Sequence, residues 1–144
     1  MINSALALKA DQESFSTADI LEINLETGVG EFLKIGSAQS FVKTKSAVEE
    51  ILSKALPVGI LENVEVTAQR AELRNNDLIL MISDGVGEAG SGVLKNEWIK
   101  KLLTMDNRND DELAGLILAG AKSRMKFSDD MTCVVIRIKR RHEI

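Results

Sequence analysis

The chain is poor in the side chains that most enzymes use as nucleophiles and bases. In 144 residues it has one cysteine and one histidine. A lone Cys133 excludes an internal disulfide and any cysteine-rich zinc site. It lies in an apolar, strand-like run, Met131-Thr132-Cys133-Val134-Val135, and reads as a small buried hydrophobe. His142 stands two residues from the C-terminus, so a Ser/His or Cys/His triad would rest on one tail residue. No apolar run approaches the ~20 residues that span a bilayer. The first residues also lack the charged start and long apolar core of a signal peptide. There is no internal repeat, low-complexity stretch or linker.

What is present is ordinary globular material. Hydrophobic residues make up 44% and charged residues 28%, enough to bury a core and stay soluble, and unlike a disordered chain. The length is that of one domain. Eighteen basic against 22 acidic residues give a net charge of -4, a poor basis for nonspecific nucleic-acid binding. The one basic cluster, Lys139-Arg140-Arg141, reads as a solvated tail.

Strand signals dominate the first half. Residues 20–25 and 31–35 form an expected hairpin around Glu26-Thr27-Gly28-Val29-Gly30. Ser40–Lys43 is a further strand, separated from Phe32–Ile35 by Gly36. Residues 46–54 are ambiguous, because Val48, Ile51 and Leu52 would also fit a helical face. Val64–Ala68 alternates like a strand, and Arg74–Asp77 is a turn. Leu78-Ile79-Leu80-Met81-Ile82 is apolar throughout, as in a strand covered on both faces. Residues 97–104 carry a helical stripe of Trp98, Ile99, Leu102 and Leu103. Asn109 with Glu112 resembles a capping box ahead of a second helix whose inner face would be Leu113, Leu116, Ile117 and Gly120. Residues 131–138 form the last strand, apolar on both faces for most of its length. The class is α+β, not repeating βαβ.

With nucleophiles scarce, chemistry falls to carboxylates. Asp84 follows the strand 78–82, and Asp129-Asp130 precedes the strand 131–138. If those strands are antiparallel neighbours, both acidic sites lie at one edge of the sheet. Hard oxygen ligands meeting there would suit Mg²⁺ or Mn²⁺, and Gly85 would leave room for the approach. The bland alternative is that Asp-Gly is a turn and Ser-Asp-Asp a cap. A third cluster, Asp106, Asp110 and Asp111, lacks calcium-loop spacing and reads as a helix start. Gly85–Gly90 also spells G-x-G-x-x-G, but Gly92 follows at once and no parallel strand ending in an acid follows about 20 residues later, as a dinucleotide site needs. A receiver-like reading fails for want of an early acid pair and a late lysine.

Taken in order, Ile2-Asn3-Ser4-Ala5-Leu6, Phe15-Ser16-Thr17, Phe32–Ala38, Leu56–Ile60, Met81–Gly85 and Asp129–Thr132 resemble the C-terminal half of a PPM-type serine/threonine phosphatase domain, and within that family the bacterial sporulation phosphatases. The resemblance implies a β-sandwich flanked by helices with a two-metal Mn²⁺ or Mg²⁺ centre at one edge. It makes Asp84 and Asp129 metal ligands and Asp130 an outer or structural residue. It further implies hydrolysis of phosphoserine or phosphothreonine by metal-activated water, with a phosphorylated anti-sigma factor antagonist as substrate. The location implied is the cytoplasmic face of a membrane-anchored parent. The family's first Asp-Gly metal motif would precede Ile2, so the expectation is an N-terminally truncated domain over 1–144, inactive by itself and prone to self-association. The rival expectations are a non-catalytic interaction module on the same scaffold and, more distantly, a dinucleotide-binding domain.

Overall fold

A computed structural model describes residues 16–57, 66–105, 108–125 and 129–140. The chain divides into two compact units. One contains strands β1 (Ala18–Ile23), β2 (Val29–Ile35) and β5 (Gln69–Glu72). The other contains β3 (Ser40–Lys43), β4 (Val48–Ile51), β6 (Leu78–Ile82), helices α1 (Asp84–Gly87), α2 (Glu97–Met105) and α3 (Asp110–Arg124), and β7 (Cys133–Arg137).

In the first unit the sheet order is β1-β2-β5, all antiparallel. The expected hairpin is β1–β2, with Ile23 opposite Gly30 and Ala18 opposite Ile35. Its turn is set by Asn24, whose Oδ1 accepts the N–H groups of Glu26 and Thr27, both at 2.9 Å. Along β2 burial alternates, and the inward face presents Phe32 and Lys34. Asp19 stands directly across from Lys34 and accepts from its Nζ at 2.6 Å. β2 ends at Gly36, whose φ of +61° is left-handed. A Cβ there would lie 2.5 Å from Pro57 Cα, so the spot is closed to side chains twice over.

The expected strand over 64–68 is displaced. Val64 and Glu65 lie outside the described residues, 66–68 carry no strand, and the strand that pairs with β2 is Gln69–Glu72. Gln-Arg-Ala-Glu shows no apolar alternation because it is an edge strand. Backbone pairing and the Glu31–Arg70 ion pair at 2.7 Å hold it.

The second sheet has the order β4-β3-β6-β7, again antiparallel throughout. Residues 46–54 resolve as strand β4 because Thr44 turns the chain back on β3. Its N–H donates to Ala47 O at 2.8 Å, and its Oγ1 accepts the Ala47 N–H at 3.2 Å. Leu78, Ile79, Leu80 and Ile82 of β6 are buried, as the unbroken apolar run requires. β7 differs from expectation. It is an edge strand, half-buried, with Val134 48% exposed.

Helix α2 buries Ile99 and Leu103 and packs on β3 and β4. Trp98 and Leu102 lie off that buried line. Helix α3 starts as expected, with Asn109 Oδ1 accepting the Glu112 N–H at 2.8 Å. Asp110, Asp111 and Glu112 fill its first turn, where carboxylates suit the helix dipole. Asp110 also takes the Arg137 guanidinium of β7 at 2.7 Å. Asp106 lies outside the described residues. The buried face of α3 is Leu113, Ile117 and Ala121, not Leu116, which is exposed. The fold class is thus the expected one, α+β with two antiparallel sheets.

Candidate metal centre

β6 is the third strand of its sheet and β7 its outer neighbour, with Ile82 opposite Cys133 and Leu78 opposite Arg137. Because the two run antiparallel, the C-terminal end of β6 and the N-terminal end of β7 coincide. The ladder continues one step past the strands: Ser83 N–H donates to Thr132 O at 2.9 Å. Ser83 Oγ accepts the Thr132 N–H at 2.9 Å and reaches Asp130 O at 3.5 Å. Ser83 therefore clamps the two strand ends together through both backbone and side chain. It opens α1 in extended conformation without capping it, since its hydroxyl is committed across the strands.

Asp84 follows at the first position of α1, exposed to solvent. Its Oδ1 accepts the Gly85 N–H at 3.0 Å. Asp129 and Asp130 are likewise exposed, and Asp129 Oδ1 accepts the Asp130 N–H at 2.8 Å. Each of Asp84 and Asp129 thus spends one oxygen on the backbone of the next residue, which orients the carboxylate. The other oxygen has no protein partner among the described residues. Gly85 is buried against the opposite segment, and a Cβ on it would come 2.2 Å from the Asp130 carbonyl oxygen. That glycine is needed for close approach of the two acidic segments.

The donor chemistry of this edge fits a hard divalent cation: two oriented, solvent-facing carboxylates at adjoining strand ends. Among the described residues no group of three or more His, Cys, Asp or Glu side chains converges as a metal cage. Any ion here would draw further ligands from water or from residues outside this pair. The G-x-G-x-x-G reading does not survive the topology. β3 and β7, the neighbours of β6, are both antiparallel to it, and Gly85 and Gly87 sit inside a single helical turn.

Ser83 carries no assignable role in the sequence by itself. It was visible in Ile-Ser-Asp-Gly, but its task appears only once β6 and β7 are known to pair. Cys133 is half-buried, with its Sγ 3.6 Å from Ala114 O, and burial pushes its thiol pKa up, opposite to an activated nucleophile. His142 and Arg141 lie outside the described residues, as do Ile2–Leu6, Phe15 and Val58–Ile60 of the motif series.

The model of the stage II sporulation protein E (SpoIIE) family matches residues 1–139. The chain belongs to the SpoIIE family. The SpoIIE of Priestia megaterium is 39% identical over 143 residues, covering 96% of this chain and 24% of that protein. Among solved structures, the SpoIIE phosphatase domain from Bacillus subtilis, presoaked with Mn, matches with a TM-score of 0.76 and 31% identity, over 99% of this chain and 66% of that one. The Bacillus subtilis SpoIIE PP2C phosphatase domain with a fragment of its regulatory domain matches at 0.82 and 34%, over 95% and 43%. The chain therefore spans about a quarter of the curated relative and just under two thirds of the phosphatase domain. Its fold is that of a part of the PP2C, or PPM-type, phosphatase domain, and the SpoIIE structures it matches are phosphatase domains of a sporulation protein. Among the described residues no helix is long and apolar enough to cross a membrane.

Proposed function

We propose that this chain supplies one side of a Mn²⁺- or Mg²⁺-dependent phosphoprotein phosphatase site, with Asp84 and Asp129 as metal ligands. The observation that carries the reading is the antiparallel β6–β7 pair, which brings these two acids to one end of the sheet. Such a site, when loaded, lowers the pKa of bound water and neutralises phosphoryl oxygens. The protein's own part is positional. Ser83 holds the strand ends in register, the backbone N–H groups of Gly85 and Asp130 aim the carboxylates, and buried Gly85 keeps the two segments in contact. Asp130 uses its carbonyl against Ser83 and Gly85, which suits a structural role.

By the family resemblance, the substrate is a phosphoserine or phosphothreonine protein, in sporulation a phosphorylated anti-sigma factor antagonist, at the cytoplasmic face of the membrane. Two carboxylates do not fill the coordination spheres of two ions. These 144 residues alone should bind Mn²⁺ weakly and turn nothing over, because phosphoryl transfer depends on fixed positioning and charge stabilisation. The test is phosphate release from a phosphoserine protein by the longer phosphatase domain carrying this segment. Asp84→Asn and Asp129→Asn should abolish release with folding intact, and Asp130→Asn should be milder. Equal losses at Asp129 and Asp130 would reassign the ligand. No metal-dependent release by the longer domain would favour the non-catalytic interaction module. Tight Mn²⁺ binding by the 144 residues in calorimetry would mean a fuller ligand set than the Asp84–Asp129 pair.

A further inference from the structure

We propose that the cleft between α2 and α3 is a docking groove for an acidic amphipathic helix of a partner protein. α2 lies over β3 and β4 while α3 lies against β7, so the two helices splay on their sheet. Trp98 bridges the gap. Its ring rests on the α3 backbone at Gly120, where a Cβ would come 2.6 Å from Trp98 Cζ3. The Arg124 guanidinium stacks 4.6 Å above the ring centroid. Above this floor is an open cleft of about 450 Å³, with Trp98, Leu102, Met105 and Leu116 as its apolar surface. Met105 is 71% exposed and Leu116 38%, a high exposure for large apolar groups on neighbouring helices. A second depression of about 340 Å³ continues the cleft past Trp98 to Leu94, itself exposed.

Among the described residues the rim is basic, opposite in sign to the net charge of the chain. The chain as a whole is acidic, 22 carboxylates against 18 basic residues. Yet Lys95, Lys101, Arg108 and Arg124 line the two depressions, and among the described residues no carboxylate does. An apolar floor between cationic edges selects a ligand that is apolar on one face and anionic on its flanks. Trp98, Leu102 and Met105 follow one another at i, i+4 and i+7 and cover about 10 Å of helix, with Leu94 one turn further on. That spacing matches the apolar anchors of a short helix laid in a groove. A flat bilayer would not reach a floor recessed between two helices, and a net charge of -4 works against nucleic acid. The inference is independent of the metal site.

Trp98 is the chain's only tryptophan and there is no tyrosine, so intrinsic fluorescence reports on the groove alone. The chain is titrated with a panel of synthetic helical peptides bearing leucines at i, i+4, i+7 and glutamates elsewhere. Controls are scrambled peptides of the same composition and phosphatidylglycerol/phosphatidylcholine vesicles. The expected result is a saturable emission shift with the patterned peptides that weakens as salt rises. Leu116→Asp should weaken binding roughly thirtyfold or more, as for an apolar anchor. Lys101→Glu should weaken it about tenfold and flatten the salt dependence. Both residues are exposed, and far-UV circular dichroism should be unchanged. No saturable shift with any patterned peptide, equal binding of scrambled peptides, a response to vesicles alone, or indifference to both substitutions would overturn the proposal.

Discussion

The middle strands of the two sheets bury themselves in different ways. β6 is apolar along its whole length, with Leu78, Ile79, Leu80 and Ile82 all buried. β2 alternates, and its inward face includes Lys34, whose side chain is fully buried beside Asp19. One sheet is built on a continuous hydrophobic strand, while the other carries an ion pair in its interior. The difference explains where each strand can carry function. The apolar β6 ends abruptly at Ser83 and Asp84, so its first polar groups fall at a fixed point at the end of a rigid element. β2 turns Lys34 to the interior and Glu31 to its edge partner Arg70, and ends on Ile35 and Gly36 with no charge to present.

The largest test of this contrast is Asp19→Asn. It removes the carboxylate that Lys34 Nζ bonds at 2.6 Å and should destabilise the fold in urea titration by more than the ~1 kcal/mol of an exposed pair. Lys34→Met, which removes the charge and keeps the bulk, should be near neutral or stabilising. Burial lowers the Lys34 pKa, and the Asp19 hydrogen bond and charge only partly oppose this. The unfolded chain thus holds that proton more tightly than the folded one. Stability should be flat below the depressed folded pKa and rise with pH from there to the ordinary lysine value of ~10.4. Lys34→Met should remove that rise. If Asp19→Asn costs no more than an exposed pair, Lys34 is not buried against Asp19 as described.

Gly85→Ala is the matching test in the other sheet. The new Cβ would meet the Asp130 carbonyl at 2.2 Å, and that carbonyl is backbone fixed by the Ser83 clamp. A loss of about 2–3 kcal/mol is expected, in the range of overpacking. Chemical denaturation measures it. A cost near zero would mean that the strand ends do not meet as closely as the clamp requires.

These residues also mark what could be read from the sequence. β6 was legible because an all-apolar pentapeptide has few other fates, and α3 because Asn109 and Glu112 announce its start. That Asp84 and Asp129 fall at one end of the β6–β7 pair was foreseeable only on the condition of antiparallel pairing. β5 was not legible, because an edge strand held by its backbone leaves no hydrophobic period. β4 could be read either way until the Thr44 turn settled it. Leu116 continues an i, i+3 pattern that reads as inward, but it is exposed on α3. The part of α3 that faces the sheet is Leu113, Ile117 and Ala121. The Asp19–Lys34 pair was invisible, since a lysine in an alternating strand reads as outward-facing.

A smaller effect separates polar anchoring from apolar burial within the second unit. Asn109→Ala removes the acceptor for the Glu112 N–H at the start of α3. The expected loss is about 1 kcal/mol, the usual value of an N-cap. Thermal denaturation should show the drop, and Asn109→Asp should restore it. A loss well above this would mean that the Arg137–Asp110 tie between β7 and α3 depends on the cap.

The smallest effect has the opposite sign and compares two glycines on that same helix. Gly115 is exposed, and a Cβ there meets nothing within 4 Å. Gly115→Ala therefore adds helix propensity with no steric cost and should stabilise the chain by about 0.5–1 kcal/mol. Gly120→Ala adds the same propensity but drives a methyl group into the Trp98 ring. The indole is a side chain at an open cleft and can swing away, so the clash should be relieved by displacing Trp98 from α3 and from beneath Arg124. Gly115→Ala should raise the melting temperature and leave tryptophan emission unchanged. Gly120→Ala should shift the emission toward that of a solvated indole and gain little or no stability. If both substitutions stabilise equally and neither moves the emission, Trp98 does not rest on α3, and the helices of the second unit are joined by something other than this one ring.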